Sequence, residues 1–124
     1  MGKKNKNASQ MDNNFYLSGS DSSEVSDEQK FKRFDIICSQ AIEEDFTKAF
    51  SDYKIRCYTE APEVRGTGYS TPKLGTDVWP QLNVLFTLFC QKEDAKKVKH
   101  ILKTIRKQYP NEGIACYMSK AKEL

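Results

Sequence analysis

The sequence is poor in metal ligands, in long apolar runs and in recognisable phosphate-binding fingerprints. It has one histidine, His100, and four cysteines, Cys38, Cys57, Cys90 and Cys116, spaced 19, 33 and 26 residues apart. No Cys-x-x-Cys pair exists, so a zinc site is poorly supported. A thiolate nucleophile needs a base beside it, and His100 falls in a stretch with the pattern of a surface helix. Each cysteine follows or interrupts an apolar run, so all four are read as small buried hydrophobes of a reduced protein. No stretch approaches the ~20 consecutive apolar residues of a membrane span, and the N-terminus lacks the apolar core of a signal peptide. The expectation is a soluble, cytoplasmic protein. The Gly-x-Gly at Gly66 and Gly68 leads into Tyr-Ser-Thr-Pro rather than a helix, which excludes both the dinucleotide fingerprint and the P-loop.

What is present is a chain of 124 residues, 38% apolar and 30% charged, with 20 Lys plus Arg against 17 Asp plus Glu. The net charge of +3 is too small and too evenly spread to argue for nucleic acid or an anionic membrane, and no nucleic-acid partner is expected. Charge divides unevenly along the chain. Residues 1–29 hold three lysines against five acids, a balance of −2, which leaves +5 on residues 30–124. The first segment is dominated by Asn, Ser and Lys, and only Phe15, Tyr16 and Leu17 offer a large apolar contact. That is too little to offset ~1–2 kcal/mol of backbone entropy per ordered residue, so residues 1–29 are predicted to be a disordered tail before a folded domain over 30–124.

Within that domain, Phe34, Ile36 and Cys38 alternate at period two, a first strand over Phe31–Cys38. Ser39 is placed to cap a helix. Ile42, Phe46, Ala49, Phe50 and Tyr53 then form one helical stripe, opposite Glu43, Glu44, Asp45 and Lys48. A second strand is predicted over Lys54–Ala61, with Ile55, Cys57 and Thr59 on one face, stopped by Pro62. Gln81–Cys90 is apolar on both faces, as in a strand buried on both sides. One layer of helices covers one side of a sheet, so the other side must meet more protein, which in so small a domain suggests another subunit. Lys92–Tyr109 carries Ala95, Val98, Ile101, Leu102, Ile105 and Tyr109 at helical spacing, with its lysines as a solvated face and Glu93–Lys97 as an i,i+4 pair. Pro110 and Gly113 end it, and Ile114, Cys116 and Met118 make a short last strand. The order βαββαβ matches the ferredoxin-like α+β fold: a four-stranded antiparallel sheet with two helices on one face.

Between the second and third strands lies a loop of about eighteen residues, long for a compact domain and of the kind that carries function. Its Val64-Arg65-Gly66-Thr67-Gly68 and Leu74-Gly75-Thr76-Asp77-Val78-Trp79-Pro80 segments are the least core-like of the chain. A Gly-rich segment brings backbone N–H groups close to an anion, and Arg65 or Lys73 can supply charge, so a phosphate-bearing ligand is chemically reasonable. The candidate ligand residues are Arg65, Gly66, Gly68, Lys73, Gly75, Thr76 and Trp79, the last by stacking on a base. The plain alternative is a connector whose glycines only permit turns.

Tyr58-Thr59, Pro62-Glu63-Val64-Arg65-Gly66-Thr67-Gly68, Leu74-Gly75-Thr76-Asp77-Val78-Trp79-Pro80 and Asn83-Val84-Leu85-Phe86 together resemble a subgroup of the PII-like signalling superfamily. The resemblance covers Phe31–Leu124 in element order and in the loop after strand two, where this superfamily carries its T-loop. It implies a cytoplasmic homotrimer with the three sheets facing inward, a small-molecule effector such as an adenine nucleotide in clefts between subunits, and a target protein, a membrane transporter among the candidates. Two departures qualify it. The connection after the second helix is only Pro110-Asn111-Glu112-Gly113, with none of the Thr-Gly-x-x-Gly-Asp-Gly-Lys run through which better-known PII proteins partly hold ATP or ADP. The tryptophan-rich motifs of the related CutA trimers, linked to divalent metals, are also missing, and one His makes such a metal site less favourable.

Three functions compete on these residues. The first is a sensor that binds an adenine nucleotide or other anion between subunits and regulates a target through its 62–80 loop. The second is a structural or assembly module that needs no ligand, with a CutA-like metal-binding trimer beside it. An enzyme comes last, because the carboxylates Glu43, Glu44 and Asp45 are better read as complementing a helix N-terminus than as an acid–base pair.

Overall fold

A computed structural model describes residues 30–68, 72–78 and 80–124. The expectation of a disordered tail over residues 1–29, and the base-stacking role of Trp79, lie outside the described residues. Phe31–Ala121 makes one compact unit.

The elements run β1 (Lys30–Ser39), a 3-10 turn (Gln40–Ile42), α1 (Glu43–Asp52), β2 (Tyr58–Val64), β3 (Asn83–Cys90), α2 (Lys92–Gln108) and β4 (Ala115–Lys122). They form one four-stranded sheet in the order β2-β3-β1-β4, and β3 pairs antiparallel with both β1 and β2. This is the expected ferredoxin-like α+β fold, with the hydrophobic core between the sheet and the helices. Phe34, Ile36 and Cys38 from β1 and Val84, Phe86, Leu88 and Cys90 from β3 meet Phe46 and Phe50 of α1 and Ala95, Val98, Ile101 and Ile105 of α2. Aromatic rings fill the α1 side: Phe50 stands edge-on to Phe86 at 5.3 Å between ring centres and lies 4.9 Å from Tyr58.

Ser39 is the cap its position suggested. Its Oγ accepts the Ala41 N–H at 3.1 Å, starting the 3-10 turn that leads into α1. The predicted second strand needs correcting in both bounds and face. Residues 53–57 are the exit from α1, where Lys54 N–H reaches Ser51 O at 3.0 Å and Ile55 N–H reaches Phe50 O at 2.8 Å. This is the Schellman pattern, which requires a left-handed residue at Lys54, whose φ is 61°. Ile55 is buried because it packs back on Phe50 as part of that cap, not because it starts a strand. The strand begins at Tyr58, and Tyr58 rather than Cys57 faces the core. Slipping the alternation by one residue reverses every side chain, so Cys57 is exposed; with Cys116 only half-buried, the expectation of four buried cysteines holds for Cys38 and Cys90 alone. Cys38 and Cys90 are buried, and desolvation pushes their thiols up to about 12 and about 11, with nearby carboxylates adding to it.

Lysine in the left-handed region is strained where glycine is not. Lys54→Gly should therefore stabilise the domain by ~0.5–1 kcal/mol, seen as a higher urea midpoint at unchanged m-value. A lower midpoint would show that the Lys54 side chain contributes more than its backbone strain costs.

Pro62 does not end β2. The strand continues to Val64 because Pro62 falls in a bulge: Ala61 pairs with Leu85 and Val64 with Asn83, three residues advancing against two. A bulge on an edge strand is where a residue without an N–H is tolerated. On β3 the helices bury one side, and the other is the side expected to meet another subunit. Val84, Phe86, Leu88 and Cys90 are buried, whereas the opposite face carries Leu85, Thr87 and a Phe89 that is 47% exposed. On α2, Lys97 reaches Asp94 at 3.5 Å and the Tyr53 carbonyl at 3.1 Å, where the sequence suggested Glu93.

Candidate functional site

The long loop leaves and rejoins the sheet at neighbouring points, because β2 and β3 are paired. Gln40, at the turn after β1, ties the two limbs together. Its Nε2 donates to the Pro62 carbonyl at 2.9 Å on the outgoing limb, and its backbone N–H donates to the Leu82 carbonyl at 3.1 Å on the returning one. A little further out, Gly66 and Lys73 exchange two backbone hydrogen bonds of 2.8 Å each and pinch the loop. Gly75 N–H then donates to Gln81 O at 3.2 Å. The base of the loop is thus a small closed ladder rather than an open connector.

Two glycines there lie close against neighbouring side chains, and the backbone demands glycine at one of them, Gly75. Gly75 has φ +68°, and a Cβ on it would stand 2.8 Å from Leu82 Cδ2 and 3.9 Å from Arg65 Nε. A Cβ on Gly66 would meet Asn83 Nδ2 at 3.3 Å. Among the described residues nothing lies within 4 Å of where a Cβ on Gly68 would stand, so none of them demands a glycine there.

The structure brings Arg65, Gly66, Lys73 and Gly75 together at this base. Thr76 follows Gly75 on the exposed surface, and Gly68 lies beyond the pinch. Arg65 is exposed, while Lys73 is only 5% exposed and so sits inside the loop base. Of the two cations expected to supply charge, Arg65 is the one a ligand in solvent meets first. Gln40 was not foreseen. Its neighbour Ser39 could be read as a cap, but nothing in the local pattern says that the next side chain reaches twenty-two residues along the chain.

Other chemistries find little support among the described residues. No three His, Cys, Asp or Glu side chains gather as metal ligands. Of the helical carboxylates, Asp45 accepts a hydrogen bond from the Tyr109 hydroxyl at 3.1 Å and Asp52 pairs with Lys48 at 2.9 Å, which are structural engagements. His100 is an exposed ring against Tyr53, 5.7 Å between centres. No described helix is long and apolar enough to cross a membrane.

Comparison with known proteins places this architecture. The class is the ferredoxin-like α+β fold with a long loop between its second and third strands, and within it the likeness is to PII-like signalling proteins. A protein from Thermus thermophilus described as PII-like and signalling superposes with a TM-score of 0.56 at 18% identity, over 77% of this chain and 91% of that one. CPII of Thiomonas intermedia, a nitrogen regulatory PII-like protein, does so in its ADP- and bicarbonate-bound form with a TM-score of 0.61 at 15% identity, over 76% of this chain and 88% of that one. Its form bound to ADP, AMP and bicarbonate gives 0.57 at 12% identity, over 76% and 90%. No family model and no curated protein matches the sequence. The neighbours are described as signalling or regulatory proteins rather than enzymes.

Proposed function

We propose that residues 30–124 form a PII-like regulatory domain that assembles as a homotrimer, senses a small anionic ligand near the base of the 62–80 loop, and conveys its binding to a target protein through that loop. The observation that carries this reading is the convergence of Arg65, Gly66 and Gly75 on a loop base held shut by Gln40 and the Gly66–Lys73 ladder. The exposed Arg65 guanidinium beside this base suits an anion, and a base closed by a few hydrogen bonds is an element whose order a ligand can shift. The neighbours bound to ADP, AMP and bicarbonate supply the candidates: an adenine nucleotide, with Arg65 on its phosphates, Gly68 and Thr76 along the loop and Trp79 beside its base, or bicarbonate.

The test is thermal unfolding of the full chain with ADP, AMP, ATP and bicarbonate in turn. A ligand at a hundred times its Kd stabilises by ~2.7 kcal/mol, a rise of ten degrees or more for a domain of this size at ~4–8 °C per kcal/mol. Arg65→Ala should weaken that ligand at least tenfold, as loss of a charge-assisted hydrogen bond requires. No shift with any of the four compounds, or full binding by Arg65→Ala, would sink the reading and leave an assembly module that works without a ligand.

A further inference from the structure

Outside the loop base, the least explained feature is the face of the sheet that the helices leave bare. Strand alternation turns Phe34, Ile36, Val84 and Phe86 toward the helices, so Arg33, Asp35, Ile37, Leu85, Thr87 and Phe89 project from the other side. Across the β1–β3 ladder Arg33 stands opposite Phe89, Asp35 opposite Thr87 and Ile37 opposite Leu85. The polar members of this set are bonded to one another. Arg33 donates from Nε to Asp35 Oδ2 at 3.0 Å and from Nη2 to Oδ1 at 3.4 Å, and Thr87 Oγ1 donates to the same Oδ1 at 2.8 Å. The guanidinium carbon lies 5.6 Å from the centre of the Phe89 ring.

With side chains 47% and 28% exposed, such a pair contributes little to the fold of a single chain. Covering the face changes that, because a desolvated cluster must then have all its donors matched. A guanidinium has five N–H donors, more than the Asp35 carboxylate takes up here. An apolar partner would leave the surplus unmatched. A purely acidic partner would meet Asp35 and a purely basic one Arg33. A surface carrying both signs within an apolar rim finds its complement in a second copy of itself.

We infer that the Arg33–Asp35–Thr87 cluster is the recognition element between copies of this chain, each Arg33 being shared between its own Asp35 and that of the adjoining copy. The inference rests on the homotrimer reading above and says which residues fix the pairing. Buried pairs of this kind commonly add less to affinity than apolar groups of the same size while restricting the geometries allowed.

Native mass spectrometry and light scattering of the full chain test it. Asp35→Asn leaves Arg33 without its carboxylate and should raise the dissociation constant of the assembly by about a hundredfold. The double exchange Arg33→Asp with Asp35→Arg keeps the pair but reverses it. It should assemble with itself at the wild-type stoichiometry yet form no mixed oligomers with wild-type chains. Thr87→Val, the mildest change, should weaken assembly measurably while leaving the thermal unfolding of the dilute chain unaltered. Statistical mixing of exchanged and wild-type chains, or an Asp35→Asn assembly within about threefold of wild type, would overturn the inference while leaving the trimer standing. A monomeric wild type at micromolar concentration would instead overturn the trimer.

Discussion

Phe86→Ala should cost ~3–5 kcal/mol, the range for a fully buried aromatic replaced without collapse of the cavity. Phe86 is 0% exposed and lies in β3, with its ring 5.8 Å from Phe46, 5.3 Å from Phe50 and 5.9 Å from Tyr58. No neighbour can move in to fill the space, since Phe46 and Phe50 are held by α1 and Tyr58 by β2. A domain of this size has ~5–15 kcal/mol in all, and small domains lie at the lower end, so the variant should lose most of its stability and melt about 15 °C or more below wild type. Phe86→Leu, which retains much of the volume, should cost less than half as much. The comparison is made by urea unfolding at a common temperature, with the m-value confirming that the same surface is exposed. A loss below ~1.5 kcal/mol for Phe86→Ala would mean that the aromatic cluster relaxes around the gap and that the α1 side of the core is less rigid than its ring geometry suggests.

The same residue marks how far the sequence could be read. Phe86 belongs to a stretch that is apolar on both faces, and such sustained local patterns, continuous in β3 and periodic in β1, α1 and α2, made these elements legible to within a residue or two. Where the pattern was short, or the signal came from one residue, it misled. Ile55 is buried as part of a helix exit, which from sequence is indistinguishable from the first inward residue of a strand, and the mistake carried Cys57 to the wrong face. Pro62 has its usual meaning only in a regular ladder, and whether a strand bulges depends on the partner strand, which the local sequence does not contain. The candidate site divides in the same way. Arg65, Gly66 and Gly75 stood out because a cation and glycines in a long loop are locally unusual. Gln40 did not, because its role depends on Pro62 and Leu82 being brought beside it by the β2–β3 pairing. Lys73 was recognisable as a cation but not as one enclosed in the loop base. The exposed flank of β3 was foreseen as a contact for another subunit, yet the three-residue cluster upon it exists only in the β1–β3 register.

Gly75→Ala is expected to show how firmly the loop base holds. At φ +68° any residue with a Cβ is strained by ~1–2 kcal/mol, and the added carbon would also stand 2.8 Å from Leu82 Cδ2. Leu82 is half-buried on the returning limb, and its carbonyl is what Gln40 N–H binds, so relieving the clash by moving that limb would loosen the Gln40 tie. The two contributions can be separated. Leu82→Ala in the Gly75→Ala background removes the steric part and leaves the backbone part, so the double variant should recover some of the loss but not all of it. Because the strain acts on the loop rather than on the Phe86 cluster, faster amide exchange should be confined to Gly66, Lys73 and Gly75, whose N–H groups close the base, with β1 and β3 unaffected. If the same variant also binds its ligand at least tenfold more weakly while the core stays protected, the closed base is the binding-competent state. Unchanged exchange at Gly66 and Lys73 would mean that Gly75 can leave the left-handed region without opening the ladder, and the base would then owe its shape to Gln40 and the Gly66–Lys73 pair rather than to Gly75.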